Sequence, residues 1–291
     1  MATSAPPIDS TVTALPTPQE VGAWYDNADS LCQLMSGDSF HFGMWLKDDG
    51  TPATRSRDLM TQAQDRMTDF FIDLLRPQPG QSMLDVGCGH GTPAIRAAQR
   101  TRTTVTGCSI SRAQVQEATR RAAIAGINDS ARFEHADAMN LPYESSTFDA
   151  AWSLDAFPHL SDPVRALREL RRVVRPGAPV LVTFYTQRVA ATAAELAMFR
   201  SFAFCPLPTV SQVIDQIHQA GLELEQYRDL TPHITLSSDF FSHISQENRQ
   251  AIAAELGPDL AEEMGTALPQ LLDFFKNRTG YVACLLRNPE A

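Results

Sequence analysis

The stretch Ser82–Pro93, SMLDVGCGHGTP, decides the fold of this chain. Residues 83–86 form a short apolar run with one acidic residue, which is typical of a central parallel strand covered on both faces. Thr92–Pro93 has the form of an N-cap followed by a first helical residue, whose free amides can meet a ligand. Between strand and helix, glycines at alternate positions allow tight backbone angles and a close ligand approach: Gly87, Gly89 and Gly91.

The glycine spacing distinguishes two kinds of nucleotide site. The dinucleotide fingerprint GxGxxG would require glycine at position 92, where this chain has Thr92, and an acidic residue roughly 20 positions later. The pattern is instead D-x-G-x-G-x-G, beginning at Asp85. A glycine loop alone is also compatible with a plain strand-to-helix turn, so the segments that follow have to decide.

Length and composition permit one large domain. The chain has 291 residues, of which 43% are hydrophobic and 20% charged, so it can bury a core. The formal net charge of −10 argues against nucleic acid as a partner, because a phosphate-binding surface needs clustered Lys and Arg. No run approaches the roughly 20 apolar residues of a membrane span, and the N-terminus lacks a signal-peptide pattern. We therefore expect a soluble protein that does not act at a membrane.

The cysteines indicate neither a disulfide framework nor a metal site. They are odd in number, scattered, and show no CxxC pair, which favours a reducing cytoplasm and no bound metal. Their positions leave open whether the chain forms a homo-oligomer. The five are Cys32, Cys88, Cys108, Cys205 and Cys284.

Strand and helix patterns alternate five times, which predicts an α/β fold with an open, mostly parallel sheet and helices on both faces. Ligands of such sheets bind at the carboxyl ends of the strands. We expect an edge strand at 222–230 and a last, antiparallel strand at 279–288. The predicted organisation is a disordered tail at 1–18, a helical N-terminal lid at 19–75, and a core at 76–291 with helical cap insertions at about 190–218 and 235–276.

Four segments together carry a family resemblance: the glycine loop, GCSISRAQ (107–114), HADAMNLPYESSTFDAAWS (135–153) and RALRELRRVVRPG (165–177). They resemble the class I S-adenosylmethionine (SAM) methyltransferases that modify small molecules in bacterial secondary metabolism. The rebeccamycin-type sugar O-methyltransferases are the most similar, with sterol, tocopherol and prenyl C-methyltransferases and cyclopropane synthases as wider kin. The resemblance implies a Rossmann-like fold, SAM as cofactor and S-adenosylhomocysteine (SAH) as product.

The resemblance also implies cofactor roles for particular residues. Many relatives hold the ribose with an acidic residue after the second strand, where this chain has Ser109; the departure is similar to a branch that shares the task among Ser109, Ile110 and Gln114. Asp137 would accept from the adenine amino group and Ala138 would donate its amide. Asp137 is equally open to interpretation as a turn cap, and Gln114 as an exposed helix residue. Gly87, Gly89 and Gly91 would hold the methionyl part, and Asp85 and His41 are further candidates for contact with the cofactor.

Catalysis requires little from the protein beyond alignment, exclusion of water and uptake of a proton. His159 lies where relatives place a base, and Tyr25 is the lid residue expected to reach the reacting groups. A histidine fixed by hydrogen bonds at the pocket wall is the alternative. The sugar O-methyltransferases have adjacent histidines here and an aspartate after the fifth strand; this chain has Pro158 and Phe184 at those positions.

Aromatic residues take the place of the missing polar groups. Aromatic faces stabilise cations, so an aromatic pocket favours C-methylation of an isoprenoid or indole-terpenoid alkene, although the same rings are equally compatible with the core. The predicted acceptor is therefore a hydrophobic small molecule, contacted by Phe42, Phe157, Phe184 and Tyr185. An O-methyltransferase of a glycosylated or hydroxylated metabolite, a cyclase on the same fold and a non-catalytic SAM-binding protein remain alternatives.

Overall fold

The computed structural model describes residues 17–36, 39, 42–45, 59–203, 206–247, 250, 253–254 and 258–290. Its centre is a seven-stranded sheet of order β3-β2-β1-β4-β5-β7-β6. Strands β1 to β5 run parallel, and β7 runs antiparallel between β5 and β6. The bounds are β1 Ser82–Val86, β2 Thr104–Ser109, β3 Ala131–His135, β4 Ala150–Ser153, β5 Pro179–Gln187, β6 Glu223–Asp229 and β7 Thr279–Arg287.

The sheet confirms the predicted α/β class, the mostly parallel order and the antiparallel last strand. Strand β4 is buried along its length, as a central strand between two helical layers must be. Strand β6 has only one neighbour and is largely exposed, which agrees with the edge strand expected at 222–230. The predicted tail, 1–18, lies almost wholly outside the described residues.

Helices cover both faces of the sheet and divide the core into two clusters. On one face, side chains of α2 and α3 pack on Met83 and Trp152. On the other, α5 and α7 pack on Leu84 and Val180. The helices are α1 Pro18–Ser36, α2 Leu59–Leu75, α3 Thr92–Thr101, α4 Arg112–Ile124, α5 Pro163–Val173, α6 Ala193–Ala203, α7 Val210–Gln219, α8 Thr231–Glu247 and α9 Pro258–Arg278.

The helix that follows the glycine loop begins one residue earlier than the sequence predicts. Gly91, not Thr92, is the N-cap of α3; its φ is 77°, and Thr92 is already the first helical residue. A left-handed cap is accessible to glycine at little cost, so the third glycine of the loop serves the helix start. Ser111 caps α4 as predicted, accepting from the Gln114 amide, and Gly126 follows its end with φ 67°.

None of the described helices is both long and apolar enough to cross a bilayer.

Gly91 and Gly126 form a matched pair for testing how the glycine loop is packed. Both have positive φ, but a Cβ at Gly91 would lie 2.6 Å from the Phe133 ring, whereas a Cβ at Gly126 would meet nothing within 4 Å. Gly126→Ala should cost only the left-handed strain, about 1–2 kcal/mol. Gly91→Ala should lose roughly 1–3 kcal/mol more through overpacking. Urea unfolding measures both; equal losses would show that Phe133 does not constrain the loop.

Candidate active site

One cavity opens at the carboxyl ends of β1, β2, β4 and β5. Its lining surrounds about 1120 Å³ of empty space, a figure that includes the open mouth. The sequence places its candidate residues at this edge, and most of them line the cavity. These are Tyr25, Asp85, Gly87, Gly89, Ser109, Ile110, Gln114, Asp137, Ala138, His159 and Tyr185.

The glycine loop forms the cavity floor. The amides of Gly87 and Cys88 both donate to the Cys108 carbonyl oxygen, at 2.8 and 3.0 Å, which fixes the turn across β1 and β2. Gly87 has φ 79°, and a Cβ there would lie 2.1 Å from that of Ala156, so only glycine fits. Gly91 does not line the cavity, since it caps α3 behind the loop.

Asp85 lies at the end of β1 and is almost fully buried. Burial raises the pKa of its carboxyl group to about 7, and the nearby Trp152 indole opposes the rise. Its Oδ2 atom has no hydrogen-bond partner of ordinary geometry among the described residues. A buried carboxylate with unused acceptor capacity matches an ammonium group, such as that of the methionyl part of SAM.

The ribose candidates meet one another after β2. The Ser109 hydroxyl donates to Gln114 Oε1 at 2.7 Å and accepts from the Ser111 amide at 3.1 Å. Gln114 is buried, so its side chain is not the exposed helix residue of the alternative interpretation. The pair presents a pre-arranged hydroxyl and amide to the cavity, which suits a vicinal diol.

The adenine candidates lie at the far end of the cavity, after β3. Asp137 Oδ1 accepts from the Met139 amide at 2.8 Å, so this carboxylate does cap a turn. It also lines the cavity beside Ala138, and its second oxygen is not used by that cap. A turn cap and an adenine contact are therefore compatible in one carboxylate.

The acceptor side of the cavity contains the two proposed catalytic residues. His159 ends a one-turn 3-10 helix, Phe157–His159, that follows β4. Its ring lies edge-on to Tyr25 of α1, with centroids 5.8 Å apart. Tyr185 near the end of β5 lines the same region.

The aromatic pocket expected from the sequence is only partly present. Phe157 and Phe184 are buried in the core on the opposite face of the sheet, where their rings pack 5.5 Å apart. Strand residues alternate faces, so Phe184 points away from the side to which its neighbour Tyr185 belongs. Phe42 lies behind Tyr185 and not in the cavity lining, at a centroid distance of 5.7 Å. Neither Phe157 nor Phe184 lines the cavity, so a contact of these two residues with the substrate stays a prediction that the cavity lining does not favour.

Asp155 is a residue of the cavity that the sequence pattern did not predict. It follows β4 with φ 58°, lines the cavity and is buried. Its Oδ1 accepts from the Thr183 hydroxyl at 2.8 Å, and its Oδ2 accepts from the Phe42 amide at 3.3 Å. Burial raises its carboxyl pKa to about 6, with Thr183, Tyr281 and Phe42 opposing. The sequence does contain a signal for Asp155, namely an acidic residue just past a buried strand. Asp85, near the end of β1, is marked in a similar way.

Helix α1 closes the cofactor end of the cavity. Asp29 pairs with the His90 imidazole of the glycine loop, and Asp26 accepts from the Ser111 hydroxyl and from the Ala113 amide. Gly22 packs directly on the residues that follow β2, because a Cβ at Gly22 would lie 2.8 Å from the Ile110 carbonyl oxygen. His41, the remaining cofactor candidate, lies outside the described residues.

Replacing Asp85 should have opposite effects on the free energy of unfolding and on the affinity for SAH. Because its folded pKa is raised, ionised Asp85 destabilises the ligand-free protein as the pH rises from about 4 through 7. Asp85→Asn should therefore stabilise the ligand-free fold at pH 8 by up to a few kcal/mol, yet weaken SAH about tenfold or more. Wild-type affinity should also fall below pH 7 as Asp85 takes up a proton. Calorimetry and urea unfolding test this against the exposed Asp129→Asn; unchanged SAH affinity would reject the role.

The lid role of α1 predicts ligand-dependent protection. Amide hydrogen exchange in Pro18–Ser36 should slow on SAH binding, because the helix closes over the cofactor. Gly22→Val should weaken SAH about tenfold by pushing α1 off Ile110, whereas Ala23→Val, exposed on the same helix, should not. Equal exchange with and without SAH would make α1 static packing.

Comparisons with known proteins identify the family. A family model described as a methyltransferase domain matches residues 84–182. The chain is 34% identical over 247 residues to 27-O-demethylrifamycin SV methyltransferase of Amycolatopsis mediterranei, which covers 82% of this chain and 88% of that protein.

Two solved structures share the fold. The [4+2]-cyclase SpnF superposes with a TM-score of 0.81 at 29% identity, covering 96% of this chain and 99% of its own. Geranyl diphosphate C-methyltransferase from Streptomyces coelicolor A3(2), solved with Mg²⁺, geranyl diphosphate and SAH, superposes with a TM-score of 0.74 over 95% of this chain and 99% of its own. At 16% identity the latter shows the fold alone. The chain therefore belongs to the class I SAM-dependent methyltransferases, in a group whose relatives come from secondary metabolism.

Proposed function

We propose that this enzyme transfers the methyl group of SAM to a hydroxyl oxygen of a hydrophobic small natural product. The observation that carries the proposal is the pairing of His159 with Tyr25 on the acceptor side of the cavity, beside Tyr185. An imidazole there can take up a hydroxyl proton near neutral pH. The name of the rifamycin relative, which describes an O-methyl transfer, supports the same chemistry.

SAM supplies a methyl group that is already electrophilic on its sulfonium. The protein has to hold both partners in line, and the lining residues divide that task. Asp85 and the glycine loop would hold the methionyl part, Ser109 and Gln114 the ribose, and Asp137 with Ala138 the adenine. His159 would take the proton from the acceptor oxygen as the new bond forms, while Tyr25 packs against its ring and α1 keeps water out.

The position of the aromatic rings favours oxygen over carbon as the acceptor atom. Alkylation of an alkene leaves a carbocation, which needs ring faces around it. Of the four aromatic residues expected to contact the substrate, only Tyr185 lines the cavity. C-methylation of an isoprenoid or indole-terpenoid alkene, the favoured reaction on the sequence alone, is therefore the second choice.

A cyclase activity is the third candidate, and the likeness to SpnF is the observation that favours it. In that case SAM would be bound without being consumed. A non-catalytic SAM-binding protein would likewise leave the methyl group in place. Both candidates share the whole cofactor site with a methyltransferase, so only the fate of the methyl group separates them.

The decisive assay combines methyl-labelled SAM with a panel of hydroxylated polyketides, terpenoid alcohols and their alkene counterparts. We expect label on oxygen, at a rate that falls at acid pH as the base is protonated. His159→Ala should lower the rate by roughly 10²–10⁴, whereas His218→Ala, exposed on α7, should have no effect. Label on carbon would favour the alkene reaction, and an unlabelled new product would favour the cyclase; either result rejects O-methylation.

A further inference from the structure

The described lining of the cavity is acidic. Three carboxylates line it, those of Asp85, Asp137 and Asp155, and its described lining contains no Lys or Arg. The first two lie where the amino acid and adenine parts of SAM would bind. Asp155 lies with His159 and Tyr185 on the acceptor side and has no part in the proposed methyl transfer.

The Asp155 carboxylate is fixed in place. The backbone amide of Asp155 donates to the Thr183 hydroxyl at 2.7 Å, and that hydroxyl donates to Oδ1 at 2.8 Å. Oδ2 is held by the Phe42 amide, and the residue adopts a left-handed backbone conformation. A left-handed non-glycine residue persists only where its surroundings determine it, and such residues concentrate at functional sites.

We propose that Asp155 is a positioning residue that makes the cavity select positive charge at the methyl-transfer centre, so that it favours SAM over SAH and disfavours anionic acceptors. The selection of the acceptor rests on the proposed function, but the selection between SAM and SAH does not. The sulfonium of SAM is cationic, whereas the thioether of SAH is neutral, and the two ligands are otherwise alike. A fixed carboxylate in a poorly solvated cavity interacts with that charge far more strongly than it would in water.

This selection would help turnover. After methyl transfer the positive charge has left the sulfur, so the attraction to Asp155 is lost and the product is released more readily. The same carboxylate would repel a phosphate, diphosphate or carboxylate on the acceptor, since no Lys or Arg of the described lining offsets it. The acceptor class that fits is therefore a neutral, hydrophobic molecule.

The pH dependence follows from the ionisation of Asp155. Its carboxyl has a pKa of about 6, so the selection for SAM is present above that pH and fades below it. The groups that act on its carboxyl are the Thr183 hydroxyl from β5, Tyr281 from β7 and the Phe42 amide. The other titratable groups of the cavity lining near the acceptor side include Tyr185, His159 and Asp85. Because Asp85 also titrates, with a pKa of about 7, the pH effect must be taken as the difference between wild type and Asp155→Asn.

The test measures the dissociation constants of SAM and SAH by calorimetry. Wild-type protein should bind SAM roughly tenfold more tightly than SAH at about pH 8, and the ratio should fall as the pH drops to about 5.5. Asp155→Asn should bring the ratio close to one at every pH. Asp137→Asn is the matched control: it removes a carboxylate at the adenine end and should weaken both ligands equally.

Two outcomes would overturn the proposal: a wild-type ratio near one at pH 8, or a ratio that Asp155→Asn leaves unchanged. If that variant fails to fold, the same pH series is run on Asp85→Asn, in which the carboxyl of Asp85 no longer titrates; a SAM-to-SAH ratio that does not change with pH in that variant contradicts the role of Asp155. Geranyl diphosphate with Mg²⁺, titrated into protein loaded with sinefungin, tests the acceptor class. No binding below about 1 mM is expected, and micromolar binding would refute the exclusion of anions. None of these measurements depends on methyl transfer. A negative labelling assay would therefore reject the proposed function without deciding whether the cavity favours SAM over SAH.

Discussion

The forked hydrogen bond at the Cys108 carbonyl oxygen is the contact on which the rest of the site depends. Two successive amides, of Gly87 and Cys88, donate to it and so turn the chain sharply at the end of β1. The turn requires φ 79° at Gly87 and leaves no room for a Cβ beside Ala156. This close approach brings the ends of β1, β2 and β4 together. The cofactor cavity is the space that remains above them.

Helix α1 and the acidic lining complete the site from opposite sides. Asp26 and Asp29 connect α1 to the residues after β2 and to the glycine loop, so the helix that covers the cavity is anchored on the loop that we propose binds the cofactor. Tyr25 on the same helix reaches His159. The cofactor end and the acceptor end are thereby linked through one helix, which gives a physical reason for methyl transfer to wait until both are covered.

The sequence was sufficient for the parts of the fold that depend on local pattern. Five parallel strands that alternate with helices and the cap at Ser111 follow from short-range rules, and the structure confirms them. The N-cap of α3 was misplaced, because Thr92 has good capping chemistry and only the three-dimensional turn shows that Gly91 already takes that position.

The acceptor side could not be predicted in the same way. Phe184 and Tyr185 are adjacent in a strand buried on both faces, so no alternation of polar and apolar residues tells which one faces the ligand. Asp155 was overlooked because its partners, Thr183 and the Phe42 amide, lie 28 and 113 positions away in the chain. Its importance arises from tertiary contacts alone.

We expect SAM to bind with its methyl group directed at His159 and Tyr185. The most direct test is an NMR measurement on protein loaded with SAM carrying a ¹³C-labelled methyl group. We predict nuclear Overhauser contacts from this methyl group to the ring protons of His159 and Tyr185, with none to Ala138 or Met139 at the adenine end. Contacts only at the adenine end, or none at the acceptor side, would contradict the account.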